Sequence, residues 1–195
     1  GEGRVFIHFG GPVPNTSPDV VLVKQRPGEW FGYTDIAGVG DVNGDGRADK
    51  VVGALHCSAE GSGTGRAYVY YGAPGFDAVP DLIIKTTETS SFLGISVAGD
   101  DINEDGQSDL VIAQYGSDAG GVDAGRVNLY FGGPGLDAVA DLTVTGEKPG
   151  DQFGMRVRPV RDFDGAGHPD LIVGALGQDN QTGAAYVFSF APQVG

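Results

Sequence analysis

The sequence predicts an all-β fold of repeated four-stranded antiparallel sheets, the pattern of β-propeller blades. Three observations carry that expectation: a repeat of about 60 residues, short strand-like runs inside each repeat, and glycine at 35 of 195 positions. With 11 prolines added, such a content would signal disorder if hydrophobic residues were not still 40% of the chain. Few stretches run ten residues without Gly or Pro, which excludes helical bundles.

The repeat is explicit. Gly65-Arg66-Ala67-Tyr68-Val69-Tyr70-Tyr71-Gly72 recurs 60 residues later as Gly125-Arg126-Val127-Asn128-Leu129-Tyr130-Phe131-Gly132. An earlier copy opens the chain at Gly3-Arg4-Val5-Phe6-Ile7-His8-Phe9-Gly10, and a fourth, ending differently, runs Gly183-Ala184-Ala185-Tyr186-Val187-Phe188-Ser189-Phe190. A second family of segments begins at Phe31-Gly32, Phe92-Leu93-Gly94 and Phe153-Gly154. A strict repeat favours a propeller over a sandwich, because sandwiches need not repeat, and it disfavours an open array of independent hairpins, because one four-stranded sheet cannot bury its own face.

In the middle unit, Ile95–Gly99 is a short strand and residues 100–109 an acidic loop. Leu110–Ala113 is a continuous apolar run, as expected of a strand buried on both faces. Arg126–Phe131 alternates, and Asp141–Val144 is a shorter edge strand. Turn glycines end the alternating strands, whereas Gly53 and Gly174, inside apolar strands, mark close approach of neighbouring sheets.

Each unit carries an acidic loop at the same place. The first is Asp41-Val42-Asn43-Gly44-Asp45-Gly46-Arg47-Ala48-Asp49 and the second Asp101-Ile102-Asn103-Glu104-Asp105-Gly106-Gln107-Ser108-Asp109. The third is Asp162-Phe163-Asp164-Gly165-Ala166-Gly167-His168-Pro169-Asp170. Side-chain oxygens fall at positions 1, 3, 5 and 9, glycine at 6 permits a sharp reversal, and position 7 (Arg47, Gln107, His168) offers a backbone carbonyl. Oxygen-only donors on alternate residues suit a hard cation, Ca²⁺. An EF-hand needs a bidentate Glu at position 12, where this chain has Val52, Ile112 and Val173. The plain turn-former reading of Asp, Asn and Gly does not account for three carboxylates in nine residues, twice, at one spacing. In the third loop Ala166 replaces the position-5 ligand, so that site is weaker or empty.

Phe31-Gly32, the loop at 41–49 and Gly53-Ala54 together resemble an FG-GAP repeat, as in integrin α-subunit propellers and related bacterial secreted propellers. Phe153-Gly154 with Gly174-Ala175 resembles it again, and the middle copy is looser. The resemblance implies a propeller with calcium in hairpin loops on one face, on extracellular or cell-surface proteins. It also implies an adhesion-type role. Families of this kind usually close seven blades, more than this chain contains.

The expected organisation, all within one structural domain, begins with the last two strands of a preceding blade at 1–30 (Arg4–Phe9 and Val20–Val23). Blades follow at 31–91 and 92–152, with an incomplete blade at 153–195. The chain is then a partial propeller, the remainder belonging to a longer one, or part of a homo-oligomeric ring.

A formal charge of -14 excludes nucleic acid and anionic membrane surfaces as partners. No apolar run approaches the ~20 residues that span a bilayer. The first residues carry no signal peptide, as expected of a mature form or a fragment, and the lone Cys57 excludes an internal disulfide. His8, His56 and His168 are scattered, with no nucleophile or zinc pattern among them. Trp30, beside Phe31, is expected to pack between blades. The leading reading is a non-catalytic calcium-binding module for a protein or extracellular-matrix ligand, with the loops at 58–64 and 116–123 as contact surfaces. A carbohydrate-binding or polysaccharide-active propeller, and a structural or assembly module, stand beside it.

Overall fold

A computed structural model describes residues 3–11, 13, 16–57 and 61–190. The strands of this part form four antiparallel sheets. β1 (Arg4–Ile7) pairs with β2 (Val20–Val23). The second sheet runs β3 (Phe31–Gly40), β4 (Asp49–Ala54), β5 (Arg66–Tyr70) and β6 (Leu82–Lys85). The third repeats it with β7 (Val97–Asp100), β8 (Asp109–Gln114), β9 (Arg126–Tyr130) and β10 (Leu142–Thr145). The fourth holds β11 (Phe153–Arg161), β12 (Pro169–Ala175) and β13 (Ala184–Ser189). Every strand pairs with its neighbour in sequence, the up-and-down order of propeller blades.

Apolar side chains fill the spaces between successive sheets. Leu22, Phe31, Val52 and Tyr68 lie between the first and second, and Val51, Val69, Leu110 and Ile112 between the second and third. Val111, Val127, Phe153 and Val173 pack between the third and fourth. The continuous apolar run of β8 is buried at every position, and β10 at none. This is the contrast expected between a central strand and an outer edge.

The Phe-Gly turns are the joints. The peptide of Leu93 bridges in parallel to Gly65, and that of Phe153 to Gly125. A Cβ on Gly65 would stand 2.2 Å from the Leu93 carbonyl oxygen, and one on Gly125 2.1 Å from that of Phe153. Gly53 meets the Gly94 oxygen at 2.1 Å, so its predicted close approach holds. Gly174 corrects that expectation: a Cβ there would find only Arg156 of its own sheet, at 3.8 Å, because no other sheet of the described residues packs against it.

Several strand ends also differ from expectation. β1 stops at Ile7 and β9 at Tyr130, because Phe9 N–H donates to Asp19 and Phe131 N–H to Asp141, both at 2.7 Å, instead of to a ladder carbonyl. β10 therefore begins at Leu142, with Asp141 as the capping acceptor outside it. β7 starts at Val97, since Ile95 N–H closes a turn onto Phe92 O. A four-residue helix, α1 (Gln178–Gln181), joins β12 to β13, where no helix was expected.

Trp30 is not sealed between sheets. It is 43% exposed, stacks on His56 at 5.2 Å between centroids and meets Tyr33 edge-on at 5.2 Å. Its backbone is left-handed (φ 50°), which lets Phe31 take the inward position.

Candidate metal centre

The three acidic loops occupy the same place in their sheets, between the first and second strands. In each, positions 4 and 6 are left-handed: Gly44 and Gly46, Glu104 and Gly106, Gly165 and Gly167. This alternation coils the backbone tightly, so its N–H groups point inward at the acidic side chains.

The first two loops are wired alike. Asp41 accepts the N–H groups of Gly44, Asp45 and Gly46 at 2.7–3.0 Å, and Asp101 those of Asp105 and Gly106 at 3.0–3.1 Å. Asn43 and Asn103 each accept from the position-5 N–H at 3.0 Å. Asp45 and Asp105 each accept from position 7 at 2.8–2.9 Å. Asp49 and Asp109 close the loops from the next strand. Asp49 accepts from Val42 and Gly72, and Asp109 from Ile102, Asn103 and Gly132.

The loops also touch one another. Ser108 N–H donates to Asp41 O at 3.0 Å, and Gly133 N–H to Val42 O at 2.9 Å. His168 Nδ1 and Glu104 Oε2, 2.9 Å apart, link the second and third loops. Arg47 turns to Asp45, 3.6 Å away.

Among the described residues, no three His, Cys, Asp or Glu side chains gather tightly enough to make a ready ligand cluster. The carboxylates face backbone N–H groups, and in the first two loops position 3 is an asparagine. The donor set of the first two loops is nonetheless oxygen-only and keeps positions 1, 3, 5 and 9, so it fits a hard cation by composition.

Asp49 and Asp109 are almost fully buried, and burial pushes both carboxyls up, Asp109 to about 6 from an ordinary 3.8. The folded chain therefore holds the Asp109 proton more tightly than the unfolded chain. Its share of stability is complete below about 4 and is lost as pH rises to about 6. In cation-free buffer, a carboxyl ¹³C titration is expected to show Asp109 ionising near pH 6; a midpoint at or below 3.8 contradicts this.

The third loop is wired differently. Asp162 accepts from Gly167, Asp164 from Ala166, and Asp170 from Phe163 and Asp164. Ser189 Oγ, on β13, lies 2.7 Å from Asp164 Oδ2 and 2.5 Å from Asp170 Oδ1. Sequence reasoning did not single out Ser189, although it stands where the other copies carry Phe9, Tyr71 and Phe131.

A second missed group joins the innermost strands. Arg158 reaches back from β11 to both oxygens of Asp35 on β3, at 3.1 and 3.3 Å, over Ser96.

Residues 41–112, from the first acidic loop into β8, match the family profile of the FG-GAP-like repeat. This segment is FG-GAP-type. The chain is similar to integrin alpha-5 of Xenopus laevis, 34% identical over 167 residues, or 80% of this chain and 15% of that protein. It is also similar to integrin alpha-8 of Mus musculus, 33% identical over 186 residues, 88% of this chain and 17% of that protein. Human phosphatidylinositol-glycan-specific phospholipase D is 30% identical over 176 residues, 81% of this chain and 21% of that protein. The chain thus spans about a sixth of the length of the integrin relatives. Its repeated sheets are all-β propeller blades, the Phe-Gly turn of one sheet seated on the glycines of the sheet before it.

The ends of β3 and β4 away from the acidic loops carry Trp30, Tyr33 (73% exposed) and His56, whose Nδ1 is buried without a hydrogen-bond partner. Cys57 beside it is buried. Of the two loops expected as contact surfaces, residues 58–60 lie outside the described part. In the other, Ser117 is buried and engages Glu88, while Val122 is exposed. Among the described residues no helix is long and apolar enough to cross a membrane.

Proposed function

We propose that the chain is a non-catalytic, calcium-braced piece of β-propeller that binds a protein ligand in an extracellular or cell-surface setting. The interaction reading is carried by the Trp30–Tyr33–His56 patch. Trp30 touches both Tyr33 and His56, and the three rings, two of them well exposed, form a rigid apolar surface at the end of the strands opposite the acidic loops. The integrin relatives support an adhesion-type role.

Asp41, Asn43, Asp45, Asp49 and the Arg47 carbonyl make the first proposed Ca²⁺ site. Asp101, Asn103, Asp105, Asp109 and the Gln107 carbonyl make the second. When bound, the ion supplies positive charge and oxygen cross-links at the loop. The blade divisions proposed are 1–30, 31–91, 92–152 and 153–195. The unfilled seat at Gly174 supports a larger ring, completed either by further chain or by a second copy.

The aromatic patch also has the stacking surface that a sugar ring uses, which is the second reading. Parallel extracellular-protein and glycan arrays separate the two. Binding is expected on the protein array, falling at least about tenfold in Trp30→Ala/Tyr33→Ala, which removes two contact residues of hot-spot type. The melting temperature is expected to stay put. Binding that is unchanged in the variant, or confined to glycans, contradicts the proposal.

A further inference from the structure

We infer that the third acidic loop takes no cation and is closed instead by the hydroxyl of Ser189. Two differences from the first two loops occur together here. Position 5 is Ala166, so the oxygen that Asp45 and Asp105 contribute is missing. On the strand that follows, Ser189 faces Asp170 across the β12–β13 ladder. Extending the β4–β5 and β8–β9 registers by one residue puts Tyr71 and Phe131 opposite Asp49 and Asp109.

The exchange changes what the carboxylates see. In the first two loops, position 9 takes its outer hydrogen bond from a backbone N–H, Gly72 or Gly132, and the position-3 side chain accepts from the position-5 N–H of its own loop. In the third loop, Asp164 Oδ2 and Asp170 Oδ1 converge on one hydroxyl, at 2.7 and 2.5 Å.

A calcium ion bridging those two oxygens needs each within about 2.3–2.6 Å and needs about four to six further oxygens. Ser189 Oγ already occupies the space between them, and the loop is one side-chain ligand short. The His168 ring, drawn to Glu104 of the neighbouring loop, adds no oxygen, so Asp162 and the His168 carbonyl are the loop's other donors. Side-chain and backbone donors therefore do locally what a cation does in the other two loops.

Amide NMR of the ¹⁵N-labelled chain tests this, with one glycine at position 6 of each loop as reporter. Raising CaCl₂ to about 5 mM, above the range of weak extracellular sites, is expected to shift the Gly46 and Gly106 amides and leave Gly167 within its linewidth. A saturable shift of Gly167 overturns the inference. Still Gly46 and Gly106 amides would overturn the calcium reading of those loops and leave this one standing. Ala166→Asp/Ser189→Phe restores the position-5 carboxylate and the aromatic residue found beside the first two loops and is expected to make the Gly167 amide respond. If that variant folds and Gly167 stays silent, Ser189 and Ala166 are not what excludes the ion.

Discussion

Gly125→Ala is expected to lower stability by about 4 kcal/mol or more, in the range reserved for disrupted packing. The position combines two costs. Its φ of +86° lies where a side chain costs about 1 kcal/mol. The new methyl would also stand 2.1 Å from the Phe153 carbonyl oxygen, a backbone atom that cannot swing aside. Relief requires the fourth sheet to move off the third. That breaks the Phe153 N–H bond to Ala124 O and exposes Val111, Val127 and Val173. Gly174→Ala, inside β12, is the matched control. It meets nothing closer than 3.8 Å and has no positive φ, so loss of chain entropy in the unfolded state is expected to leave it neutral or up to about 1 kcal/mol more stable. Denaturant unfolding of the two variants decides the matter: equal midpoints would mean that the sheets do not seat on one another through these glycines.

Removing calcium is expected to lower the melting temperature by about 10–20 °C. A site held at a hundredfold excess over its dissociation constant adds about 2.7 kcal/mol, so two add about 5. A chain of this size moves about 2–4 °C per kcal/mol. The loss should not stay local. Without the ion the first loop leaves three carboxylates within nine residues and the second four. The first loop is tied to the second by Ser108 N–H and to the turn after β9 by Gly133 N–H, so slack in one reaches the next sheet. Calorimetric melting in chelator and in calcium checks this, and coincident curves would contradict it.

The blades were legible in the sequence because their strand runs recur at one period, but the alternation of β9 does not mark a wet face: four of its five residues are buried, as in β8, because sheets pack on both of its sides. The strand ends were less legible. Phe9 and Phe131 continue the alternation, yet their N–H groups go to Asp19 and Asp141, side chains ten residues away. Gly53 and Gly174 hold equivalent repeat positions, and only the presence of a following sheet separates a tight contact from an open one. Trp30 was misread for a related reason: the inward place beside it belongs to Phe31, and a left-handed φ turns Trp30 outward.

At the candidate site, the spacing of Asp41, Asn43, Asp45 and Asp49 was readable because a tight loop fixes which residues share a side. Ser189 was visible only as a break in an aromatic position. The bond from Arg158 to Asp35 joins residues 123 apart and leaves no local trace.

Calcium titrated into the chain by isothermal calorimetry, beside Asp45→Ala/Asp105→Ala, tests the central claim most directly. The expected result is two saturable sites in the unaltered chain and none in the variant at the same concentrations. No saturable heat in the unaltered chain, or two sites surviving in the variant, would show that these loops are turns held by their own hydrogen bonds and not calcium sites.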